Sequence, residues 1–548
     1  MENWKDIPLL KPGKVIDEGK SYRPISLLSP SAKVLEKIIL PDIAAKVPLK
    51  THQHGFRKLH STTTSALQEV NFHIRRGLNM KAPCNRTVLV AIDLSRAFDT
   101  VCHEKLLFDI LNLDISPILK KFLASYLRGR QQYVEFRGSK SKYRIVRQGV
   151  PQGGVLSPLL FNLYMSSMPD PPGNIVIVSY ADDCQVMSFG PKFQNICEEI
   201  NPYLDQLTKW FKERHLEISP EKSTATLFTT YNGEVNEELP IFIEGKQVPT
   251  VKNPKILGVT YDNLMKFGKH TKIMKEKVQK KNNVLKCLAG TTWGKSKEIL
   301  TTTYKSIGRS ILNYAAPAWS VALSDTNWKH LETAQNSALR TITGCVKMTE
   351  RSHLNTETKI LPVEEHSKML SDQFLMSMHE EQHSNYHQLS KERPPRKIRT
   401  MITDQLPNIS EHTENSPFSN KVIKSKKKKI HTDTVKRVTD NYPPNKVLLS
   451  RAPPIHEDET KLPRTTRSTL AQLRSGYSSH LNSYLHRIER SETDKCPNCK
   501  TEIHTSQHIF NCTSKPTTLN VRDLWNKPRK VAEYMSLPLD DNDDTNQS

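Results

Sequence analysis

The chain has 548 residues, of which 36% are hydrophobic, and its 80 Lys and Arg against 57 Asp and Glu give a formal net charge of +23. This charge favours a polyanionic partner, with nucleic acid first and an anionic membrane surface second, over a protein whose charge only aids solubility. Nine cysteines in no disulfide-type pattern, no apolar run of membrane-spanning length and no signal peptide argue against a secreted or membrane-spanning protein and predict the nucleus or the cytoplasm.

Residues 1–270 are predicted to form a globular α+β region. The β-branched run at 88–94 predicts a buried strand. A helix is predicted over 103–113, with Asp99 expected to cap it, and alternation predicts a strand over 132–138. The remaining predicted elements are an amphipathic helix over 193–211 that packs on a sheet, and strands at 225–228, 241–245 and 255–261.

Two adjacent aspartates, Asp182 and Asp183, stand between the apolar arms of a predicted β-hairpin over 175–187. Like charges at such a place repel each other, and a divalent cation relieves that repulsion. A third carboxylate, Asp93, ends the predicted strand 88–93, and the three side chains converge if this strand lies beside the hairpin. Three carboxylates on a sheet surface can hold two Mg²⁺ ions for phosphoryl chemistry, whereas an Asp-Asp pair alone is usually a solvated turn.

The segment RQGVPQGGVLSPLLFNLYM at 147–165 predicts a turn that faces a substrate, followed by a helix. Gly153 and the neighbouring glycines allow the backbone to approach a ligand closely, although a Gly-rich turn before a helix is often only a turn. Ser157 and Pro158 predict the N-cap and first residue of a helix that runs to about Met168.

The C-terminal half is predicted to be less regular. Residues 271–375 are helical by pattern and predict a separate basic module. From 376 to 462 the composition shifts to Lys, Pro, Ser, Asn and Thr, which predicts a basic disordered linker. Its lysine-rich run at 424–429 is a nuclear-localisation signal, a phosphate-binding patch or solvated linker charge. A small ordered unit is predicted over 463–515, followed by a C-terminal tail over 516–548.

The segment CPNCKTEIHTSQHIFNC has the spacing of a zinc site. The predicted ligands are Cys496, Cys499, His508 and Cys512, a complete tetrahedral set. His504 is the alternative to His508, but the H-x3-C spacing favours His508. We expect one Zn²⁺ per chain, with a role in nucleic-acid binding, in local structure, or in both.

Seven motifs follow one another along the chain: SYRPISLLSPSAKVLEKII, QHGFRKLHSTTTSAL, AIDLSRAFDTV, RQGVPQGGVLSPLLFNLYM, SYADD, LEISPEKS and ILGVTYD. Together they resemble the reverse transcriptases of jockey-type, or LINE-type, non-LTR retrotransposons, over residues 4–270 and, with the CCHC cluster, to about residue 515. The resemblance implies a right-hand polymerase with fingers and palm over 1–270, a helical thumb over 271–375 and a zinc-knuckle-like unit. It implies target-primed reverse transcription, in which a DNA 3′-OH is extended with dNTPs on an RNA template.

The resemblance also implies roles for individual residues. The two Mg²⁺ ions would be bound by Asp93, Asp182 and Asp183, the incoming dNTP would be contacted by Lys11, Arg23, Phe98, Gln152 and Gly153, and pyrophosphate departure would be aided by Lys222. Phe98 would exclude a ribose 2′-OH, or is simply a core Phe. Lys11 and Arg23 would hold the triphosphate, or are solvated surface charges. Gly55, Phe56 and Arg57 would help form the fingers near the template, and the stretch 256–259 would approach the primer end.

Three alternatives remain open from the sequence. These elements usually carry an endonuclease before the polymerase, and we expect this chain to lack it, so one alternative is a truncated relic that only binds nucleic acid. A second is a group II intron-type maturase, against which the CCHC cluster and the ILGVTYD motif speak. A third is a non-enzymatic zinc adaptor, which leaves the three carboxylates unexplained. The sequence does not indicate an oligomeric state or a target site.

Overall fold

The structure is a computed structural model that describes residues 3–58, 60–80, 82–83, 86–290, 294–380 and 420–540. The chain divides into two compact units. The first ends at Lys266 and the second begins at Phe267 and includes residues 420–540. This boundary lies close to the predicted one at residue 270, and helices and strands both occur, so the predicted α+β class is confirmed.

The elements of the first unit follow the predicted order. Its strands are β1 (Asn3–Leu10), β2 (Tyr22–Leu27), β3 (Arg86–Ile92), β4 (Leu94–Ser95), β5 (Gln131–Phe136), β6 (Ser139–Lys140), β7 (Arg144–Ile145), β8 (Val176–Tyr180), β9 (Asp183–Gly190), β10 (Glu217–Ile218), β11 (Thr224–Thr229), β12 (Phe242–Ile243), β13 (Lys246–Gln247), β14 (Lys255–Ile256) and β15 (Val259–Thr260). Its helices are α1 (Pro30–Ala44), α2 (Gln68–Asn79), α3 (His103–Leu111), α4 (Pro117–Leu127), α5 (Ser157–Met165) and α6 (Phe193–Glu213).

A four-stranded antiparallel sheet in the order β11-β3-β9-β8 lies at the centre of this unit. Strand β3 is apolar from Val88 to Ile92, as expected for a strand whose two faces are both covered. Val88 and Val90 belong to the core that includes Ile200 and Leu204 of α6, and α2 packs against β3 and β9 as well. The predicted packing of the amphipathic helix on a sheet is therefore confirmed. The predicted strand over 255–261 is instead the β14–β15 hairpin.

A second sheet has the order β2-β1-β5-β6, with β7 also paired to β5. Strand β1 runs antiparallel to β2 and parallel to β5. Asp6 is buried in this sheet and accepts hydrogen bonds from the Trp4 indole and from the Ser26 hydroxyl. The register pairs Leu9 with Arg23, so Arg23 lies on β2, and Lys11 follows directly after β1.

The second unit is helical. Its helices are α7 (Gly268–Leu288), α8 (Lys297–Tyr304), α9 (Ser310–Asn313), α10 (Ala316–Trp319), α11 (Asp325–Thr343), α12 (Arg351–Thr358), α13 (Val363–Glu380), α14 (Asn420–Asp440), α15 (Arg464–Ser475), α16 (Asn482–Arg487), α17 (His508–Asn511), α18 (Asp523–Asn526) and α19 (Pro528–Tyr534). A π-helical turn, Lys305–Arg309, joins α8 to α9. Within the described ranges, no helix combines the length and hydropathy that a membrane crossing requires.

The prediction of a disordered linker over 376–462 is wrong for residues 420–440, which form α14. Helix α14 packs on α13 because Ile423, Ile430 and Val438 recur at helical spacing and are buried. The lysine-rich run at 424–429 therefore lies within a helix, and lysine is a good helix former. Residues 381–419 of the predicted linker lie outside the described residues.

The prediction of a separate unit over 463–515 and a tail over 516–548 is also wrong where the structure describes it. Trp525 and Val531 are buried in one core with Leu470 and Phe510, so residues up to 540 belong to the folded part. Their apolar side chains are too widely spaced to indicate a strand or a long helix. The final residues, 541–548, lie outside the described range.

A buried ion cluster ties this C-terminal part to the preceding helices. Arg474 on α15 donates to Glu357 of α12 at 2.7 Å and to Glu459 at 2.6 Å. Lys297 of α8 lies 2.9 Å from Glu357 as well. Burial alone would raise the pKa of Glu357, but the charges of Arg474 and Lys297 together lower it. Residues 463–540 are thus one structural unit with the helices, not an appended module.

Candidate active site and metal centre

The adjacent aspartates lie at the turn between β8 and β9. The register pairs Tyr180 with Asp183, which leaves Ala181 and Asp182 as the loop. Ala181 adopts a φ of 58°, a conformation that hairpin turns of this length require at their first central position. The predicted hairpin is confirmed, and it presents both carboxylates at one end of the central sheet.

Asp93 lies at the same end of the sheet. Strand β3 pairs with β9 in a register that matches Ile92 with Cys184, and Asp93 follows directly. The negative charge of Asp93 acts on both Asp182 and Asp183 and raises their pKa values. The structure therefore brings together the three carboxylates that the sequence singled out.

The electrostatics of these carboxylates favour a cation. Burial, together with the charges of Asp182 and then Asp93, raises the pKa of Asp183 to about 6. The Asp183 side chain keeps solvent-accessible area, but the protein atoms around its carboxyl group are enough to cause the shift. Burial also raises the pKa of Asp182. Oxygen ligands that repel one another at a sheet edge fit a hard divalent ion.

Two predicted cationic residues lie at different distances from the carboxylates. The charge of Arg23 lowers the pKa values of both Asp182 and Asp183, so its guanidinium lies near the pair. Lys11 donates to the Lys20 carbonyl at 3.1 Å, and its charge acts on Asp99.

A third cation, Lys222, lies 3.8 Å from an Asp93 oxygen, and both side chains are partly exposed. The turn that carries Lys222 is anchored to the same aspartate. Ser219 donates its backbone N–H to the Asp93 carbonyl at 2.9 Å, and the Ser223 hydroxyl accepts the Asp93 N–H at 3.1 Å. The motif LEISPEKS thus fixes the end of β3.

Phe98 is half-buried beside the carboxylate site. Its ring stacks on Phe161 with centroids 4.4 Å apart and meets the edge of Phe56 at 6.3 Å. Its carbonyl accepts the Val150 N–H at 2.9 Å, which attaches the Gly-rich turn to it. Phe98 is therefore both packed against the core and oriented by its neighbours.

The Gly-rich turn packs tightly against β2 and against Asp99. The Gln152 carbonyl accepts the Ser26 N–H at 2.8 Å, and its side chain donates to Asp99 at 2.8 Å. Gly153 has a φ of 136°, and a Cβ there would lie 2.6 Å from the Ser26 carbonyl oxygen. The expected capping of α3 by Asp99 is wrong, because α3 begins at His103 without a side-chain cap and Asp99 binds Gln152 instead.

Helix α5 begins at Ser157, and its free N–H groups are satisfied by a residue that the sequence reasoning missed. The Glu36 carboxylate, fully buried on α1, accepts the N–H groups of Val155 and Leu156 at 2.6 and 2.9 Å. The expected Ser157 cap is therefore wrong, and the helix ends at Met165. The only sign of this role in the sequence is that a Glu stands among the apolar residues of α1.

The turn with the two aspartates rests on the segment around Gly55, which the resemblance assigns to the fingers near the template. A Cβ at Gly55 would lie 2.5 Å from the Ala181 nitrogen. Asn162 of α5 holds this segment, because its amide donates to the Gly55 carbonyl at 2.7 Å and its carbonyl accepts the Gln53 amide at 3.0 Å. His54 donates its N–H to the Ser179 carbonyl of β8. Gly55 and Asn162 thus fix the position of the turn that carries the two aspartates.

The predicted zinc ligands converge in the second unit. Ligand atoms of Cys496, Cys499, His508 and Cys512 all lie within 4.8 Å of one another. The Cys496 and Cys512 sulfurs are 3.8 Å apart, and His508 Nε2 is 3.3 Å from the Cys499 sulfur. His504 lies elsewhere, with its Nδ1 accepting the Asn482 N–H at 3.2 Å.

The chemistry of this cluster fits a soft metal ion. Hydrogen bonds from the Thr501 hydroxyl and from the N–H groups of Glu502 and Thr501 lower the pKa of Cys499 to about 6. A stabilised thiolate with two further sulfurs and an imidazole is a donor set that Zn²⁺ prefers. Lys500 adopts a φ of 60°, which lets the chain turn around the cluster.

Comparison with known proteins identifies the first unit. Residues 10–261 match the family model described as "Reverse transcriptase (RNA-dependent DNA polymerase)". These residues are a reverse transcriptase domain. Such a domain implies the use of divalent metal ions, in agreement with the three converging carboxylates.

The relatives of this reverse transcriptase domain come from retrotransposons. A probable RNA-directed DNA polymerase from transposon BS of Drosophila melanogaster is 31% identical over 68% of this chain and 42% of its own length. The X-element polymerase of the same species is 30% identical over 71% of the chain and 43% of its own. The RNA-directed DNA polymerase from the mobile element jockey of this species is 27% identical over 62% of this chain and 38% of its own length. The chain thus spans less than half of the length of these relatives, and the predicted resemblance to jockey-type elements is confirmed.

Among solved structures, a telomerase from Candida tropicalis in complex with a fragment of telomeric RNA aligns with 71% of this chain and 63% of its own at 11% identity, with a TM-score of 0.37.

Proposed function

We propose that this protein is the RNA-directed DNA polymerase of a non-LTR retrotransposon, which extends a DNA 3′-OH with dNTPs on an RNA template. The observation that supports this most is the convergence of Asp93, Asp182 and Asp183 at one end of the central sheet of a reverse transcriptase domain. Residues 1–270 would serve as fingers and palm, and the helices over 271–375 as the thumb. The relatives from insect transposons favour this function over a group II intron-type maturase.

The three carboxylates would hold two Mg²⁺ ions, which when bound neutralise the triphosphate and lower the pKa of the primer hydroxyl. The 3′ oxygen attacks the α-phosphorus in line, a new P–O bond forms, and the bond to the β-phosphate breaks with loss of pyrophosphate. Arg23 lies near the aspartate pair, where its guanidinium can bind the triphosphate, with Lys11 further out. Lys222, beside Asp93, would aid pyrophosphate departure.

The residues around the carboxylates would shape the nucleotide site. Phe98 would stand where a ribose 2′-OH has to fit, and its stacking on Phe161 would hold the ring in place. Gln152 and Gly153 would form the wall beneath the nucleotide, since Gly153 leaves no side chain between the backbone and the ligand. The stretch 256–259 would approach the primer end.

The Cys and His cluster would bind one Zn²⁺ and take part in nucleic-acid binding. All four ligand atoms lie close enough for a single tetrahedral ion. We further propose that the protein works in the nucleus or the cytoplasm, where these thiols stay reduced.

Primer extension tests this proposal. Wild-type protein, Asp183→Asn and the control Asp205→Asn are incubated with an RNA template, a DNA primer, dNTPs and Mg²⁺. Asp205 is exposed on α6, away from the sheet end that carries the carboxylates. We expect Asp183→Asn to lower extension by about 10³-fold or more, because several kcal/mol of transition-state charge stabilisation are lost. Equal extension by both variants, or no extension by wild type that still binds RNA, would refute the polymerase and favour a relic that only binds nucleic acid.

A further inference from the structure

The second unit contains a cavity of about 1050 Å³ to which the polymerase function assigns no role. It lies between the π-helical turn 305–309, helices α12, α13 and α14, and two proline pairs at 443–444 and 453–454. Ligand cavities in proteins usually measure about 300–1,000 Å³. The cavity is therefore large enough for more than one nucleotide.

Among the residues that line the cavity, Arg309 gives the clearest indication of a ligand. Its side chain is 4% exposed, and the hydrogen bonds of its guanidinium go to the Gln335 side chain and to the Pro362 carbonyl, both neutral. Within the described part of the chain, Arg309 forms no ion pair. The acidic group that acts on it at longer range, Glu332, accepts the backbone N–H groups at the start of α13. A buried cation without a counter-ion is costly, and an anionic ligand would relieve that cost.

Three further basic groups surround Arg309. Lys305 lies one turn earlier, and His366 and His431 come from α13 and α14. Burial, together with the positive charges of Arg309, His431 and Lys305, lowers the pKa of His366 to about 3. His366 is therefore uncharged near neutral pH, and the positive charge of this part of the lining comes from Arg309 and Lys305.

The π-helical turn explains how this wall forms. Gly308 lies against the ring of Tyr304, where a Cβ would be 2.6 Å from a ring carbon. The extra residue in the turn widens the helix at Lys305 and Arg309, both of which line the cavity. Such π-helical insertions are frequent at functional sites.

The other surfaces of the cavity are apolar and aromatic. Tyr442, Trp525 and Ile455 line it together with the proline pairs. Glu357 also lines it but is neutralised by Arg474 and Lys297. A lining that contains both aromatic and cationic side chains fits a ligand that has both a flat ring and a phosphate.

We propose that this cavity binds unpaired nucleotides of RNA, with a phosphate at Arg309 and a base against Tyr442. A nucleoside phosphate is the shared chemistry, and it is available either within single-stranded RNA or as a free nucleotide. The volume of the cavity and the net charge of +23 favour single-stranded RNA. The site goes beyond the polymerase function, and binding is measured without any nucleotide addition.

Photo-crosslinking of the full chain tests the proposal at the level of residues. The probe is a hexaribonucleotide that contains 4-thiouridine, and crosslinked peptides are located by mass spectrometry. We expect crosslinks on peptides with Tyr442. Arg309→Gln should lower their yield at sub-saturating RNA by about tenfold or more, since a charge-assisted hydrogen bond is lost, and Arg309→Lys should restore part of it. The control Lys329→Gln removes an exposed charge on α11, outside the cavity lining, and should leave the yield unchanged.

Two further variants keep the test decisive if Arg309→Gln fails to fold. Lys305 is exposed and Val435 is only partly buried, so Lys305→Gln and Val435→Trp should fold, as thermal melting will verify. We expect Lys305→Gln to lower the yield, and Val435→Trp, which narrows the cavity, to lower it as well. Crosslinks found only elsewhere, or unchanged in both variants, would overturn the proposal. Crosslinking at these residues by 4-thiouridine 5′-monophosphate but not by the oligonucleotide would overturn the assignment to RNA in favour of a free nucleotide.

Discussion

The carboxylate site and the Cys3His cluster differ in how their ligands are brought together. Asp93 and Asp183 are far apart in sequence, and the pairing of β3 with β9 makes them neighbours. Cys496 and Cys512 lie in one short segment, and a single turn around Lys500 brings the sulfurs within reach. A local site depends on spacing alone, whereas a distributed site depends on the register of a sheet and on everything that supports it.

The two sites also differ in electrostatics. Burial and mutual repulsion raise the pKa values of Asp182 and Asp183, while hydrogen bonds lower that of Cys499. Without a cation, the carboxylates of the first site repel one another. In the second site, the Cys499 thiolate is already stabilised by hydrogen bonds before a metal ion binds. The carboxylate site is therefore suited to an exchangeable ion that takes part in a reaction, and the Cys3His cluster to a permanently bound ion.

The largest effect should come from removing one ligand of the local site. We expect His508→Gln to lose zinc almost completely and to lower the melting temperature of the second unit, because three ligands hold zinc far more weakly than four. The matched variant His504→Gln should keep about one zinc per chain, since His504 accepts the Asn482 N–H instead. Metal analysis of both purified variants is the measurement. Zinc retained in His508→Gln but lost in His504→Gln would reverse the ligand assignment.

Substitutions in the residues that support the carboxylate site should lower activity almost as much as substitutions of its ligands. A methyl group at Gly55 would meet the Ala181 nitrogen at 2.5 Å and displace the turn that carries Asp182. We expect Gly55→Ala to lower primer extension by about tenfold or more, since overpacking costs about 1–3 kcal/mol and a displaced carboxylate misaligns the reaction. The control is Gly233→Ala, where nothing lies within 4 Å. Equal rates for the two variants would show that the turn tolerates the shift.

A smaller effect should appear in the pH dependence of stability. The pKa of Asp183 is raised from 3.8 to about 6, so the folded state binds more protons than the unfolded state between these values. The contribution of Asp183 to the free energy of unfolding therefore falls as the pH rises through this window when no divalent ion is present. We expect Asp183→Asn to remove this fall, and Mg²⁺ at pH 7.5 to raise the melting temperature of wild type but not of the variant. Melting curves that respond equally to Mg²⁺ would contradict the proposed ligand role.

The smallest effect concerns the buried cap of α5. Glu36→Gln keeps the shape of the side chain but removes the charge that faces two backbone N–H groups at the helix start. We expect a loss of about 1 kcal/mol in the free energy of unfolding, measured with urea. Glu198→Gln, at an exposed position beyond the first turn of α6, is the control. Identical unfolding midpoints would show that the amide caps the helix equally well.

The sequence predicted those parts of the fold that local pattern determines. The central strands, the β8–β9 hairpin and α6 were predicted because apolar periodicity marks each of them. The Cys3His set was predicted from spacing, and the carboxylate set from a strand end and a hairpin. In each case the chemistry of the residues and the local pattern pointed to the same place.

The supporting residues were not predictable, because their partners are distant in sequence. Glu36 caps a helix that begins more than a hundred residues later, and Asn162 holds Gly55 from another element. Helix α14 was missed because its lysines and polar residues dominate the composition while only a few apolar residues pack on α13. Tertiary contacts, not propensity, decided each of these cases.

The buried cluster around Arg474 has a consequence for how such chains can evolve. Arg474 and Lys297 together neutralise Glu357 and Glu459, so exchanging the segment from α15 onward for one without this arginine would leave two buried carboxylates with a single cation. The segment from α15 onward should therefore be inherited together with α8 and α12, and the four charges of the cluster should change only in combinations that keep it balanced.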